Sequence, residues 1–142
     1  MSYSLSFSKA VLVVIFISDK IRQGQYKFLS TKTIAEILNI PKPTLVKILQ
    51  NLSMAGIIET REGKQGGIRL QKNPSEITIL DILNAMETGK PLFQTSFNIL
   101  AEGKRPDNAQ KSVSNVLIQA ELKMKEVLST KTIHEIMEDM GK

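Results

Sequence analysis

Apolar and polar positions follow different rhythms along this chain, and each rhythm predicts an element. From Phe7 to about Arg22 apolar residues fall nearly all round a helix, as in a segment packed on more than one side. Ile34, Ile37 and Leu38 then make a short amphipathic segment that breaks at Asn39-Ile40-Pro41. A second segment, Lys42 to about Met54, lines up Leu45, Ile48, Leu49 and Leu52 as one apolar stripe, the i, i+3, i+4, i+7 pattern of a helix with one buried face. Lys42, Thr44, Lys47, Gln50 and Asn51 occupy the opposite face, and Ala55-Gly56 suits the C-terminal stop. The pattern then shortens. Ile57–Arg61 and Ile68–Gln71 read as strands around the turn Glu62-Gly63-Lys64-Gln65-Gly66-Gly67, whose glycines allow positive φ.

Beyond that hairpin, Asn73-Pro74-Ser75 predicts a turn and Thr78 or Ser75 the start of another helix. Its buried face is Ile79, Leu80, Ile82, Leu83 and Met86, and Gly89-Lys90-Pro91 stops it. Leu92–Leu100 predicts a short helix with an exposed side, and Glu102–Pro106 a polar break. Asp107–Leu128 is the longest helical candidate, about 33 Å long if unbroken. Val113, Val116, Leu117, Ala120, Met124, Val127 and Leu128 run along it as one stripe, and a last helix reaches about Met140. Ser30 or Thr33 caps the second helix, and Thr33-Ile34-Ala35-Glu36 has the letters of a capping box. The segment LSTKTIAEI at 29–37 nearly recurs as LSTKTIHEI at 128–136. We read this as capping chemistry reused at two helix starts rather than as a repeat.

Two helices, a tight turn and a hairpin with a basic glycine-rich tip predict a winged helix-turn-helix, a device that sets one helix in a DNA major groove. The fold class is mainly α with a small β-wing. Residues 1–76 form the winged domain, and residues 77–142 a helical linker and dimerisation region. The long stripe has little to bury itself against in so small a domain, so the same helix of a second copy is its expected cover, making a homodimer. The alternative is that it folds back on the N-terminal core.

Charge supports the division. Residues 1–76 hold 11 Lys and Arg against 5 Asp and Glu, whereas residues 77–142 hold 8 against 9. The positive excess lies wholly in the winged half, as expected of a nucleic-acid binder. The chain has no cysteine, which removes disulfides, thiolate metal sites and a cysteine nucleophile. Its single histidine, His134, has only Glu135 and Glu138 at metal-ligand spacing, and these read as surface acids, so neither catalysis nor metal binding is expected, and no cofactor. Gly63, Gly66 and Gly67 do not make a phosphate-binding loop, because no helix opening with Lys-Ser/Thr follows. The apolar run Ala10–Ile17 is too short to span a bilayer and has no cleavage site after it. A buried helix in a cytoplasmic protein, with no membrane association, is the expectation.

Base contact is expected from Lys42, Pro43 and Thr44 at the start of the third helix and from Lys47 one turn on. Ser30, Thr31 and Lys32 open the second helix, where hydroxyls and amides suit a phosphate oxygen. Lys64 and Gln65 at the wing tip, with Arg61 and Arg69 on its strands, suit the adjacent minor groove or its backbone. The partner is double-stranded operator DNA. The rival is a winged helix used for protein–protein contact without specific DNA binding. A small-molecule effector is a further possible partner, seated between the winged domain and Leu92–Leu100 with Phe93 and Phe97 as its wall. Those two phenylalanines are otherwise core. Oxidation of Met54, Met86 or Met124 is another route for a signal.

Ile34-Ala35-Glu36, Leu45, Ile48-Leu49, Leu52, Ala55-Gly56 and Gly66-Gly67-Ile68-Arg69-Leu70, followed by Pro74, Ile79, Ile82 and the late Leu128 and Ile133, resemble the Rrf2 family of bacterial regulators. The resemblance covers nearly the whole chain and implies a winged-helix dimer held by a long C-terminal helix, repressing or activating operons from palindromic operators. Two departures stand out. Many members of the family carry Arg-Gly at the start of the wing turn where this chain has Glu62-Gly63, which leaves Arg61 and Lys64 as the candidates for that contact. Iron–sulfur members carry three cysteines before the long helix, and residues 90–110 have none.

Overall fold

The computed structural model describes residues 5–24, 26–87, 89 and 91–141. Among them, in chain order, are α1 (Leu5–Arg22), α2 (Thr31–Leu38), α3 (Lys42–Met54), β1 (Ile58–Arg61), β2 (Gly67–Leu70), α4 (Ile79–Met86), α5 (Lys104–Leu128) and α6 (Ile133–Met140). A single 3-10 turn, Pro74–Glu76, precedes α4. Lys90, expected in the stop after α4, lies outside the described residues, as does Gln25.

α1 is the central helix. Ala10, Val13, Val14 and Ile17 are fully buried, and the helix packs on α2, α3, α4, α6 and β2. One side of the run Ala10–Ile17 is therefore interior, while Leu12 is exposed, and no described helix is long and apolar enough to cross a membrane. The stripe predicted for α3 is buried as expected, with Leu45, Ile48, Leu49 and Leu52 all in the core. The core is continuous past residue 76, because Ile77, Ile82 and Ile133 join the same cluster as Ile34, Leu45 and Ile68.

β1 and β2 pair antiparallel from Ile58↔Leu70 to Arg61↔Gly67. Leu29 adds an isolated bridge on the other edge of β2. Its amide donates to the Ile68 carbonyl at 2.9 Å, and the Ile68 amide donates back at 2.7 Å. This explains the glycine pair. A Cβ on Gly66 would sit 2.0 Å from the Arg61 carbonyl oxygen, and one on Gly67, at φ +140, would sit 2.7 Å from that of Leu29. Neither position has room for a side chain.

Several expectations need correction. α2 starts at Thr31 with Ser30 as its cap, so Thr33 and Glu36 lie inside the helix and make no capping box. Leu92–Leu100 holds no helix. Asn98 takes a left-handed conformation at φ +52, which a continuous right-handed helix does not admit. Phe93 lines a hollow of about 90 Å³ with Leu117 and Ile118 of α5, so this side chain faces the long helix. α5 starts at Lys104 rather than Asp107. Pro106 is tolerated there because first-turn amides have no intrahelical acceptor to lose.

Candidate nucleic-acid interface

The burial of one stripe of α3 leaves Lys42, Pro43, Val46, Lys47, Gln50 and Ser53 exposed along the other. Thr44 sits half-buried to one side. Pro41 precedes the helix and no side chain caps its start. The amides of Lys42 and Thr44 therefore present the positive end of the helix dipole without a side-chain acceptor across them. α2 starts differently. The Ser30 hydroxyl accepts from the Thr33 amide at 3.0 Å and donates to the Thr33 hydroxyl at 2.8 Å. Ser30 is thus engaged in its own helix, and Thr31 and exposed Lys32 are the groups left at that end.

The wing lies beside α3. Thr31, Val46, Gln50, Ser53, Thr60 and Ile68 help line one shallow hollow of about 410 Å³, which brings the start of α2, the exposed face of α3 and both strands around a common groove. Lys64 and Gln65 are exposed at the wing tip. Arg61 and Arg69 are placed otherwise. Side chains alternate along a strand, and the register sets Glu59, Arg61 and Arg69 on the same face. Arg69 donates through Nε to Glu59, and the Arg61 guanidinium lies 3.8 Å from that carboxylate. Both guanidiniums lie over the Phe28 ring, 5.5 Å from its centroid for Arg61 and 5.0 Å for Arg69. The cluster ties the strands to the segment leading into α2. Arg61 keeps the more exposed side chain, at 58% against 33% for Arg69.

The pattern had thus placed Lys42, Pro43, Lys47, Lys64 and Gln65 on accessible surface. It overlooked Val46 and Ser53, and it named Gln50 only as part of a polar face. The signal was available as the complement of the buried stripe. Val46 escaped because it is apolar, yet it is 38% exposed and an aliphatic side chain there suits a thymine methyl group.

The family model for Rrf2, described as an iron-dependent transcriptional regulator, matches residues 3–139. The chain belongs to the Rrf2 family. The HTH-type transcriptional regulator NsrR of Shouchella clausii is 38% identical to this Rrf2 chain over 72 residues, 51% of this chain and 48% of that protein. NsrR of Bacillus subtilis is 36% identical over 75 residues, 53% of this chain and 49% of the relative. The chain spans about half the length of these curated relatives.

Solved structures match over the whole length. T. potens IscR superposes with TM-score 0.66 at 21% identity, covering 99% of this chain and 88% of that one. CymR, the global cysteine regulator of B. subtilis, gives TM-score 0.67 at 22% identity, covering 96% and 95%. At such identities the likeness is one of fold. The iron in the family's description finds no ligand set in this Rrf2 chain. It has no cysteine, and no group of three or more His, Asp or Glu among the described residues could share a metal ion.

Proposed function

We propose that this Rrf2 chain is a sequence-specific double-stranded DNA-binding transcription regulator, working in the cytoplasm as a homodimer on a near-palindromic operator. The observation that carries this reading is the uncapped, exposed and cationic start of α3 beside the groove it shares with the wing. Lys42, Pro43 and Lys47, with Val46 and Gln50, face the bases. Thr31 and Lys32 hold phosphate. Lys64 takes the place of the usual wing arginine, since Arg61 and Arg69 are drawn to Glu59. Repression follows from operator occupancy, which needs no further surface. The division near residue 76 is then one of role, DNA contact before it and assembly after it, across a shared core.

Dimerisation rests on α5. The helix has 25 residues, none of them buried, and its principal packing partner is α4. Leu117, Met124 and Leu128 are half-buried, whereas Val113, Val116, Ala120 and Val127 are exposed. Val116 is 66% and Val127 67% exposed. The same helix of a second copy would cover this line, and its two-fold axis would present two copies of α3 to two half-sites.

Val116→Glu should therefore give a monomer in sedimentation that no longer binds a selected operator. An intact dimer would place the interface elsewhere. For the wild type, neutralising roughly 6–10 phosphates per dimer predicts that log K falls with log salt at about −0.9 per phosphate. A flat titration would sink the DNA reading.

A further inference from the structure

A cavity of about 600 Å³ opens between the end of α1, the chain leaving β2 and α6, and none of its lining comes from α2 or α3. Ile21 and Met137 are among its apolar residues, and Arg22, Lys72 and His134 are among its basic ones. No carboxylate side chain lines it. The nearby acid on α1, Asp19, already accepts from Arg22 at 3.1 Å and from Gln23 at 3.2 Å, and Glu138 holds His134 at 2.9 Å. Arg22 still has guanidinium N–H groups to offer, and Lys72 makes no ion pair among the described residues.

The same cavity touches Ser18, which is 4% exposed and whose hydroxyl has no hydrogen-bond partner among the described residues. A buried hydroxyl left unpaired is a standing cost that a bound polar group removes. The volume falls within the range of small-molecule sites, about 300–1,000 Å³. A bare inorganic anion would leave most of it, and the apolar wall, unused.

We propose that this cavity binds a small organic carboxylate with an apolar body, its anionic end toward Arg22 and Lys72 and its body on Ile21 and Met137, and that occupancy is read out by the wing. The link to the wing is short. Arg69 also lines the cavity, and its guanidinium is bound to Glu59 and lies over Phe28. A carboxylate held beside Arg22 and Lys72, with Arg69 in the same lining, draws Arg69 away from Glu59 and so loosens the side-chain pair across β1 and β2. The site stands without the DNA-binding reading. Only its readout rests on that reading.

The test uses the full-length protein and three probes: phenylacetate, the neutral phenylacetamide and inorganic phosphate. Phenylacetate should shift the methyl NMR signals of Ile21 and Met137 saturably, while the amide and phosphate should bind at least about tenfold more weakly. Lys72→Met, a change at an exposed residue, should leave the fold intact and weaken phenylacetate to a similar degree. Equal response to acid and amide, shifts centred elsewhere, or unchanged affinity in Lys72→Met would overturn the site. Saturating phenylacetate should also lower operator affinity. Binding of the probe with DNA affinity unchanged would overturn the link to the wing. A protein that binds the probe but never binds DNA would refute the DNA reading and leave the cavity standing.

Discussion

Residues 29–37 and 128–136 differ only at Ala35 against His134, yet they fold in different frames. In the first copy Leu29 is extended and paired with Ile68. Ser30 stays extended, at φ −84 and ψ 151, and caps α2 from Thr31 onward. In the second copy Leu128 is the last residue of α5, and Ser129 keeps a helical conformation at φ −79 and ψ −11. The hydroxyls of Ser129 and Thr130 donate to the carbonyls of Glu126 and Val127, each at 2.6 Å. The extended cap comes later, at Thr132, and α6 begins at Ile133. There the capping box is complete, with the Glu135 amide donating to the Thr132 hydroxyl and the Thr132 amide to the Glu135 carboxylate, both at 3.1 Å.

A short backbone pairing chooses the frame in each copy. Leu29 is held by Ile68, whereas Thr132 is held by Thr78, with the Ile133 amide on the Ile77 carbonyl at 2.8 Å and the Ile79 amide on that of Lys131 at 3.1 Å. Thr33 and Glu36 have the letters of the box and miss its geometry. A capping signature marks where a helix can begin; the neighbouring strand or helix selects the turn.

The strongest way to break the contrast is Gly67→Ala, which drives a Cβ against the Leu29 carbonyl. Urea unfolding should show a loss of about 3 kcal/mol, the upper end for a side chain forced into such a conformation. Amide exchange should show α2 fraying well before α6. A loss under about 1 kcal/mol, or equal fraying of both, would mean that β2 does not select the first frame.

Cap substitutions sharpen it at smaller cost. Ser30→Ala and Thr132→Ala each remove a capping oxygen in use and should cost about 1 kcal/mol. Thr33→Ala and Ser129→Ala, at the matching positions of the other copy, should stay within about 0.5 kcal/mol. His134→Ala makes the two stretches identical. It removes only the exposed His134–Glu138 pair, so stability should move by no more than about 0.5 kcal/mol, and backbone shifts should still start α6 at Ile133. A start moved to Thr130 would show that His134, and not the surrounding fold, held the frame.

The smallest effect is a titration. The backbone hydrogen bond from Thr132, followed by that from its hydroxyl, holds Glu135 below its ordinary value of 4.5. A carboxyl lowered on folding adds stability that is full above its unfolded value and is lost as pH falls through the folded one. Lys131 is raised above 10.5, first by its hydrogen bond to Asp139. Its contribution is full below 10.5 and lost as pH rises through the folded value. The start of α6 is thus firmest between the two. By carbon NMR the Glu135 carboxyl should titrate below 4.5 and move back toward it in Thr132→Ala. An unmoved midpoint in that variant would place the cause outside the cap.

Much of the surface of the candidate interface was legible from periodicity. Leu45, Ile48, Leu49 and Leu52 define the buried face of α3, so Lys42, Pro43 and Lys47 had to face outward. The glycine pair Gly66-Gly67 marks a turn with no room for side chains. Arg69 was not legible as a partner of Glu59, because that pairing depends on the register of β1 against β2. Nor did the stripe on α5 say which of its members the chain covers itself: Leu117 and Met124 are half-buried, and Val116 is not.

The sequence by itself determined the helix–turn–helix and the wing, because each rests on local spacing, and it carried the resemblance to the Rrf2 family that the family model matches over residues 3–139. Only the tertiary structure decided the frame of the two near-identical segments, the start of α5 at Lys104, the irregular course of 92–100 and the division of the α5 stripe. Alternative caps one turn apart differ by about 1 kcal/mol. Two backbone hydrogen bonds from a neighbouring element are enough to outweigh that.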